Sequence, residues 1–171
     1  MDKALKIINK MKKEGLFSTY AIGGGIAALF YIEPVTTFDL DIFIIMPDEQ
    51  SKQLLSLSPV YTWLDKHGYK PQKEQVLIEG VPVQFIPVYN DLVKSAVIDS
   101  IDKKYGQTAT RVLRPEYLIA IMLQAYRPKD RDRLLKFFEE SDYSEERLHS
   151  ILVKHNLKEA YNNFWRQYYG K

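Results

Sequence analysis

Phe17-Ser-Thr-Tyr-Ala-Ile-Gly-Gly-Gly-Ile26 runs from a short apolar strand into three consecutive glycines, and Thr37-Phe-Asp-Leu-Asp-Ile-Phe-Ile-Ile-Met46 follows as a long strand of β-branched and aromatic residues. Between them, Ile26 to about Tyr31 reads as a short helix that Glu33-Pro34 ends, and Pro47 stops the second strand. In a strand, residues two apart share a face, so Asp39 and Asp41 project together while Leu40 faces the other way. Ile42 and Ile44 go with Leu40, whereas Phe43 and Ile45 share the face of the aspartates. The strand therefore reads as buried on both sides toward its C-terminal end, with the two acids at its mouth.

Two ionised carboxylates side by side repel, and in an apolar strand they are unfavourable unless something neutralises them. A divalent cation does so directly, and magnesium (or manganese) favours a few carboxylates together with phosphate oxygens. A pair of such ions, roughly 3.5–4 Å apart, can activate an attacking hydroxyl and stabilise leaving pyrophosphate. The glycines supply the complementary half. Without side chains, Gly24 and Gly25 let backbone amides approach phosphate, and the helix from Ile26 directs its positive end there. The plainer alternatives are an ordinary turn at the glycines and solvated aspartates on an exposed strand face.

Working outward, Asp2 to Glu14 places Leu5, Ile8 and Met11 at spacings of three and reads as an amphipathic helix closed by Gly15. Asp48 to His67 contains a helical stretch closed by Gly68. Strands follow at Lys73–Ile78 and Val81–Ile86, joined by a tight hairpin at Glu79-Gly80. A short helix near Asn90–Val97 and a strand near Thr108–Leu113 complete an α/β core over residues 1–114. From Pro115 the period changes. Helices are expected over Glu116–Tyr126, Asp130–Glu140, Ser144–Lys154 and Lys158–Tyr169, a C-terminal helical region of residues 115–171 packed on the core. The fold class expected is thus α/β (α+β), a mixed sheet flanked by helices.

The 171 residues suit one compact domain, or a small core with an appendage, and 46% hydrophobic with 27% charged residues is an ordinary globular composition. A formal charge of +2 gives no bulk electrostatic sign of a nucleic-acid binder. The absence of cysteine excludes disulfides, thiolate metal sites and cysteine nucleophiles. His67, His149 and His155 have no partner at zinc-site spacing. The lysine-rich start lacks the apolar core of a signal peptide, and Tyr20–Ile32, broken by glycines, is too short to span a bilayer, so a cytoplasmic protein is expected and no membrane partner.

In order and spacing, Ile22 through Gly24-Gly25, thirteen intervening residues, and Asp39-Leu40-Asp41 resemble the nucleotidyltransferase superfamily, specifically its AbiEii/AbiGii toxin-like members. Arg114-Pro-Glu-Tyr-Leu-Ile-Ala to Arg127-Pro-Lys-Asp130 resembles the same proteins' later helix and basic turn. The resemblance covers roughly residues 16–140. It implies a nucleotidyltransferase-like sheet and magnesium-dependent transfer of a nucleoside monophosphate from a triphosphate to a hydroxyl of an RNA or protein acceptor. It implies Gly24 and Gly25 on the triphosphate, Asp39 and Asp41 on the metal and in catalysis, and Arg127 and Lys129 on the basic side of the cleft. An antitoxin partner belongs to the same implication. Read on their own, Arg127 and Lys129 are solvated helix-end charges. Two departures stand out. Many active relatives carry a third acid on a later strand, and the matching strand Val81–Pro87 puts Gln84 there. Glutamine offers a neutral oxygen to a metal, and a wall to the nucleotide pocket, but cannot take a proton. Met122 stands where relatives often have lysine. Glu79 and Glu74 are other acids nearby in sequence, with no spacing argument for either.

Two rivals follow from the same residues. Gly23-Gly-Gly-Ile-Ala-Ala28 matches a dinucleotide fingerprint, with Asp48 as the ribose acid, but about two turns of helix is short for that unit. The second is the same fold without catalysis, serving as a nucleotide-binding or regulatory protein, which Gln84 and Met122 favour. The aromatic run Tyr161, Phe164, Trp165, Tyr168 and Tyr169 has helical spacing and suggests core packing or a homodimer contact, with base stacking on RNA as the competing use.

Overall fold

The computed structural model describes residues 1–33, 37, 39–47, 56–72 and 74–170. The chain divides into two compact units, one of Met1–Ala27 with Thr36–Leu113 and one of Ala28–Val35 with Arg114–Lys171.

The first unit is built on a seven-stranded mixed sheet of order β3-β4-β5-β2-β1-β7-β6. Its strands are β1 (Thr19–Ile22), β2 (Leu40–Ile45), β3 (Pro71–Gln72), β4 (Gln75–Ile78), β5 (Val81–Pro87), β6 (Ile101–Tyr105) and β7 (Thr108–Val112). β1 and β2 are antiparallel, Thr19 opposite Ile45 and Ile22 opposite Ile42, while β2 runs parallel to β5 and β1 parallel to β7. The antiparallel β1–β2 pair excludes a dinucleotide-binding βαβ unit, whose two strands must be parallel; Asp48, the acid that unit would use, lies outside the described residues. At the β4–β5 hairpin, Glu79 (φ 51°) and Gly80 (φ 80°) both hold the positive φ that a tight two-residue turn demands. β6 escapes the sequence reading because Asp102, Lys103 and Lys104 make it polar. Among the described residues it is an edge strand paired with β7 alone, where lysines are common.

One face of the sheet is apolar. Tyr20, Ile22, Leu40, Ile42, Ile44, Val76, Ile78 and Val83 are each at most 1% exposed. Helix α1 (Asp2–Lys13) buries Ala4, Leu5, Ile8 and Met11, and is tied to the sheet by the Tyr20 hydroxyl, which donates to Asn9 Oδ1 at 2.7 Å. Helix α3 (Ser58–Lys66) buries Val60, Trp63 and Leu64, and the Trp63 indole N–H donates to Glu14. After β5, Asn90 caps helix α4 (Asp91–Ile98) by accepting from the Val93 N–H at 2.8 Å. Arg111 on β7 fastens the far end of α4: its guanidinium donates to Thr19 Oγ1 and Ser100 O, both at 2.8 Å, and to Ile98 O at 3.3 Å.

The second unit holds α5 (Pro115–Ala125), α6 (Pro128–Glu140), α7 (Glu145–Lys154) and α8 (Lys158–Tyr169). Glu116, 5% exposed, accepts the Ser144 N–H at 2.8 Å, just where α7 begins. Phe138 of α6 meets Phe164 and Trp165 of α8 at ring distances of 5.5 and 5.3 Å, and Tyr161 at 5.9 Å. The aromatic run of α8 thus packs within its own unit. Residues that follow the glycine turn in sequence also belong here. Tyr31 packs on Phe137 at 6.3 Å, and the Glu33 N–H donates to Glu140 at 2.8 Å.

Candidate active site at the glycine turn

The β1–β2 ladder continues one step beyond β1, where the Gly23 N–H donates to Asp41 O at 3.0 Å. Gly23 therefore sits opposite Asp41. A side chain has no room there, since a Cβ would fall 2.3 Å from a ring carbon of Phe43 and 3.3 Å from Leu113. The Gly23 carbonyl accepts from the Ala27 N–H at 3.1 Å and opens helix α2 (Gly24–Ala28). With five residues, α2 adds little macrodipole, so whatever attraction for an anion exists here comes mostly from the backbone N–H groups of the turn.

Gly24 carries the closest contact. Its φ is +57°, and a Cβ at this position would lie 1.8 Å from Asp41 Oδ2. The Asp41 carboxylate thus rests directly against the glycine backbone, a proximity that no other residue type permits. Gly25 is buried in the first turn of α2. Asp39 immediately precedes β2 and Asp41 is its second residue; both are half-buried, while Leu40 between them is fully buried. The parallel register of β2 and β5 puts Gln84 beside Asp41. No cluster of three or more His, Cys, Asp or Glu suited to a metal occurs among the described residues. Glu79 lies in the β4–β5 turn and accepts from the Tyr69 hydroxyl at 2.7 Å, and Glu74 lies in the turn before β4.

Asp41, Gln84 in register with it, and Asp39 two residues earlier on the chain carry carboxylate and amide oxygens, the ligand type that a hard divalent cation takes. Asp39, Asp41 and Gln84 are the residues that would hold it. The remaining expected site residues belong to the helical unit. Arg127 heads α6, where its guanidinium forks onto the fully buried Asp130 at 2.7 and 3.1 Å, and Asp130 also accepts the Arg127 N–H at 3.1 Å. That fork gives Arg127 a helix-capping role. Lys129 is exposed on the first turn of α6, and Met122 is buried in α5. A cavity of about 710 Å³ between α7 and α8, lined by Tyr161, Trp165, His149 and Lys158 among others, contains none of the residues at the glycine turn.

The fold has counterparts among solved structures. The chain is similar to the crystal structure of an antigenic nucleotidyltransferase-like protein from Paracoccidioides brasiliensis over 98% of its own length and 89% of that chain, with a TM-score of 0.66 and 14% identity. It is similar to the solution structure of the antibiotic-resistance factor ANT(2'')-Ia over 98% and 99% of the two chains, with a TM-score of 0.52 and 14% identity. The fold is therefore nucleotidyltransferase-like. No family model matches the chain. Among curated proteins, it is 30% identical over 121 residues to NADH-quinone oxidoreductase subunit M of Rickettsia typhi (strain ATCC VR-144 / Wilmington), a match that takes in 70% of this chain and 21% of that protein. Among the described residues, no helix is long and apolar enough to cross a membrane.

Proposed function

We propose that the chain is a nucleotidyltransferase of the AbiEii/AbiGii toxin-like kind, moving a nucleoside monophosphate from a triphosphate to a hydroxyl of an RNA or protein acceptor with magnesium or manganese. The observation that carries this is the Asp41 carboxylate lying on the Gly24 backbone, 1.8 Å from where a Cβ would be. This closeness supports reading Asp41 as a cation-binding acid beside an anion-binding turn, the combination that transfer from a metal-bound triphosphate requires. The N–H groups around Gly24 and Gly25 take the triphosphate oxygens, and Asp39 and Asp41 take the metal. When bound, that ion supplies positive charge to the departing pyrophosphate. Gln84 orients oxygen atoms beside Asp41 without accepting a proton. Deprotonation of the acceptor hydroxyl therefore falls to a carboxylate of the pair. The acceptor class and an antitoxin partner follow from the sequence resemblance, and a cytoplasmic setting from the composition.

A second reading is a nucleotide-binding or regulatory protein of the same fold with little or no turnover. The observation favouring it is Gln84 in register with Asp41, where an acid would otherwise stand. Radiolabelled nucleoside triphosphates with magnesium and a pool of RNA and protein acceptors separate the two. Label transfer by the wild type that disappears in Asp41→Ala supports the enzyme; the same blank result from both proteins defeats it.

A further inference from the structure

The sheet register assembles a rank of residues scattered through the sequence. Asp41 pairs with Gln84 across β2–β5, and Gln72 pairs with Gln75 across β3–β4. The β4–β5 pairing, Val76 opposite Val83, carries Gln75 to Gln84 one step further along. Asp41, Gln84, Gln75 and Gln72 thus lie in one line across four adjacent strands, on one face. Strands about 4.8 Å apart put Gln72 about 14 Å from Asp41. In the next rank on the same face Leu77 stands opposite Pro82, and the β2–β5 and β3–β4 registers, each continued by one residue pair, bring Asp39 and Lys70 to its two ends. Leu77 is 46% exposed although its strand neighbours Val76 and Ile78 are fully buried. A large aliphatic side chain facing outward beside a row of amides is not needed for the apolar layer that Val76 and Ile78 join on the other face.

We propose that this strip seats the base of the nucleotide, with Gln75 and Gln84 hydrogen-bonding its edge and Leu77 with Pro82 packing on its face. The inference rests on the triphosphate site at Gly24 and Asp41 described above. Three features select a nucleobase as the occupant. A glutamine amide offers a donor and an acceptor side by side, the match for a base edge and for adenine first. Leu77 and Pro82 supply an uncharged surface for a ring. The row is continuous with Asp41, so a triphosphate anchored at the turn has its base directed along the sheet. Gln75 and Leu77 thereby become specificity residues, acting on which nucleotide binds.

Calorimetric titration of the full chain with two probes in magnesium, ATP and inorganic tripolyphosphate, isolates the contribution of the base. The wild type should bind ATP about tenfold or more tighter than tripolyphosphate, as expected for one well-packed base. In the double variant Gln75→Ala/Leu77→Ser that ratio should fall to near one, with tripolyphosphate affinity retained as the control for folding. A variant that keeps the wild-type ratio overturns the base seat while leaving the triphosphate site standing. Equal affinity of the wild type for both probes, or an equal loss for both in the variant, also overturns it. If the wild type binds neither probe, the triphosphate site itself falls, and the base seat with it.

Discussion

At Gly24 two demands meet in one residue, a φ of +57° and the Asp41 carboxylate pressed on its Cα. The left-handed backbone alone makes Gly24→Ala unfavourable by about 1–2 kcal/mol, and the collision with Asp41 adds to it. Removing the carboxylate relieves only the second part. Gly24→Ala should therefore destabilise the Asp41→Ala protein less than the wild type, by about 1 kcal/mol, a coupling readable from urea unfolding of the four proteins. Equal destabilisation in both backgrounds would mean that the carboxylate does not sit where the structure has it. Tyr31 makes a separate test. Burial first, and then the nearby Glu116 carboxylate, pushes its phenol from 10.0 up to about 12. An unfolded tyrosine ionises near 10, so between pH 10 and 12 the unfolded chain gives up a proton that the folded chain keeps. Below pH 10 the contribution is constant; across the window, stability falls as pH rises. Tyr31→Phe should lose stability less steeply over that window in denaturant titrations, and identical slopes would contradict the buried phenol. Among the proposed site residues, the same-face spacing of Asp39 and Asp41 and the glycine turn after a strand were legible in the sequence. The seating of Asp41 on Gly24, not Gly25, was not, because it depends on how β1 pairs with β2.

The elements were legible where their periodicity is strong. Leu5, Ile8 and Met11 mark α1, and the β-branched and aromatic run Ile42–Ile45 marks β2. The Glu79-Gly80 hairpin follows from turn chemistry. Less was legible where tertiary pairing decides. Nothing local shows that β2 lies between β5 and β1, so the rank Asp41, Gln84, Gln75, Gln72 has no signature in the linear sequence beyond the alternation of Gln75 and Leu77 with Val76 and Ile78. Nor does any local signal reveal that Tyr31 keeps company with Phe137. Arg111 shows how one residue can fix an element: it joins Thr19 on β1 to the carbonyls of Ile98 and Ser100 at the end of α4. Arg111→Met keeps most of the stem but leaves those acceptors without their charged donor, and should lower unfolding free energy by about 2 kcal/mol. Arg111→Lys should recover little, because an ammonium cannot reproduce the planar fork. A loss within 0.5 kcal/mol for Arg111→Met, or full recovery by lysine, would show that the clamp is unimportant.

For the whole molecule, the nucleotidyltransferase-like fold follows from the mixed sheet and from its likeness to two solved structures at 14% identity each. So low an identity shows that the arrangement of strands tolerates wide change in side chains. What a fold permits, however, its site must carry out, and the proposed site reduces to Asp41 set against a glycine turn with Asp39 two residues before it. In the proposed function Gln84 beside Asp41 separates turnover from mere binding, and both readings call for the cation and the triphosphate at the same place. A crystal of the chain soaked with magnesium and a non-hydrolysable nucleoside triphosphate addresses that need directly. The expected map has an ion about 2.0–2.1 Å from oxygens of Asp39 and Asp41, with the phosphates against the Gly24 and Gly25 backbone. Phosphates bound elsewhere, or an aspartate pair indifferent to magnesium at saturating nucleotide, would contradict the account.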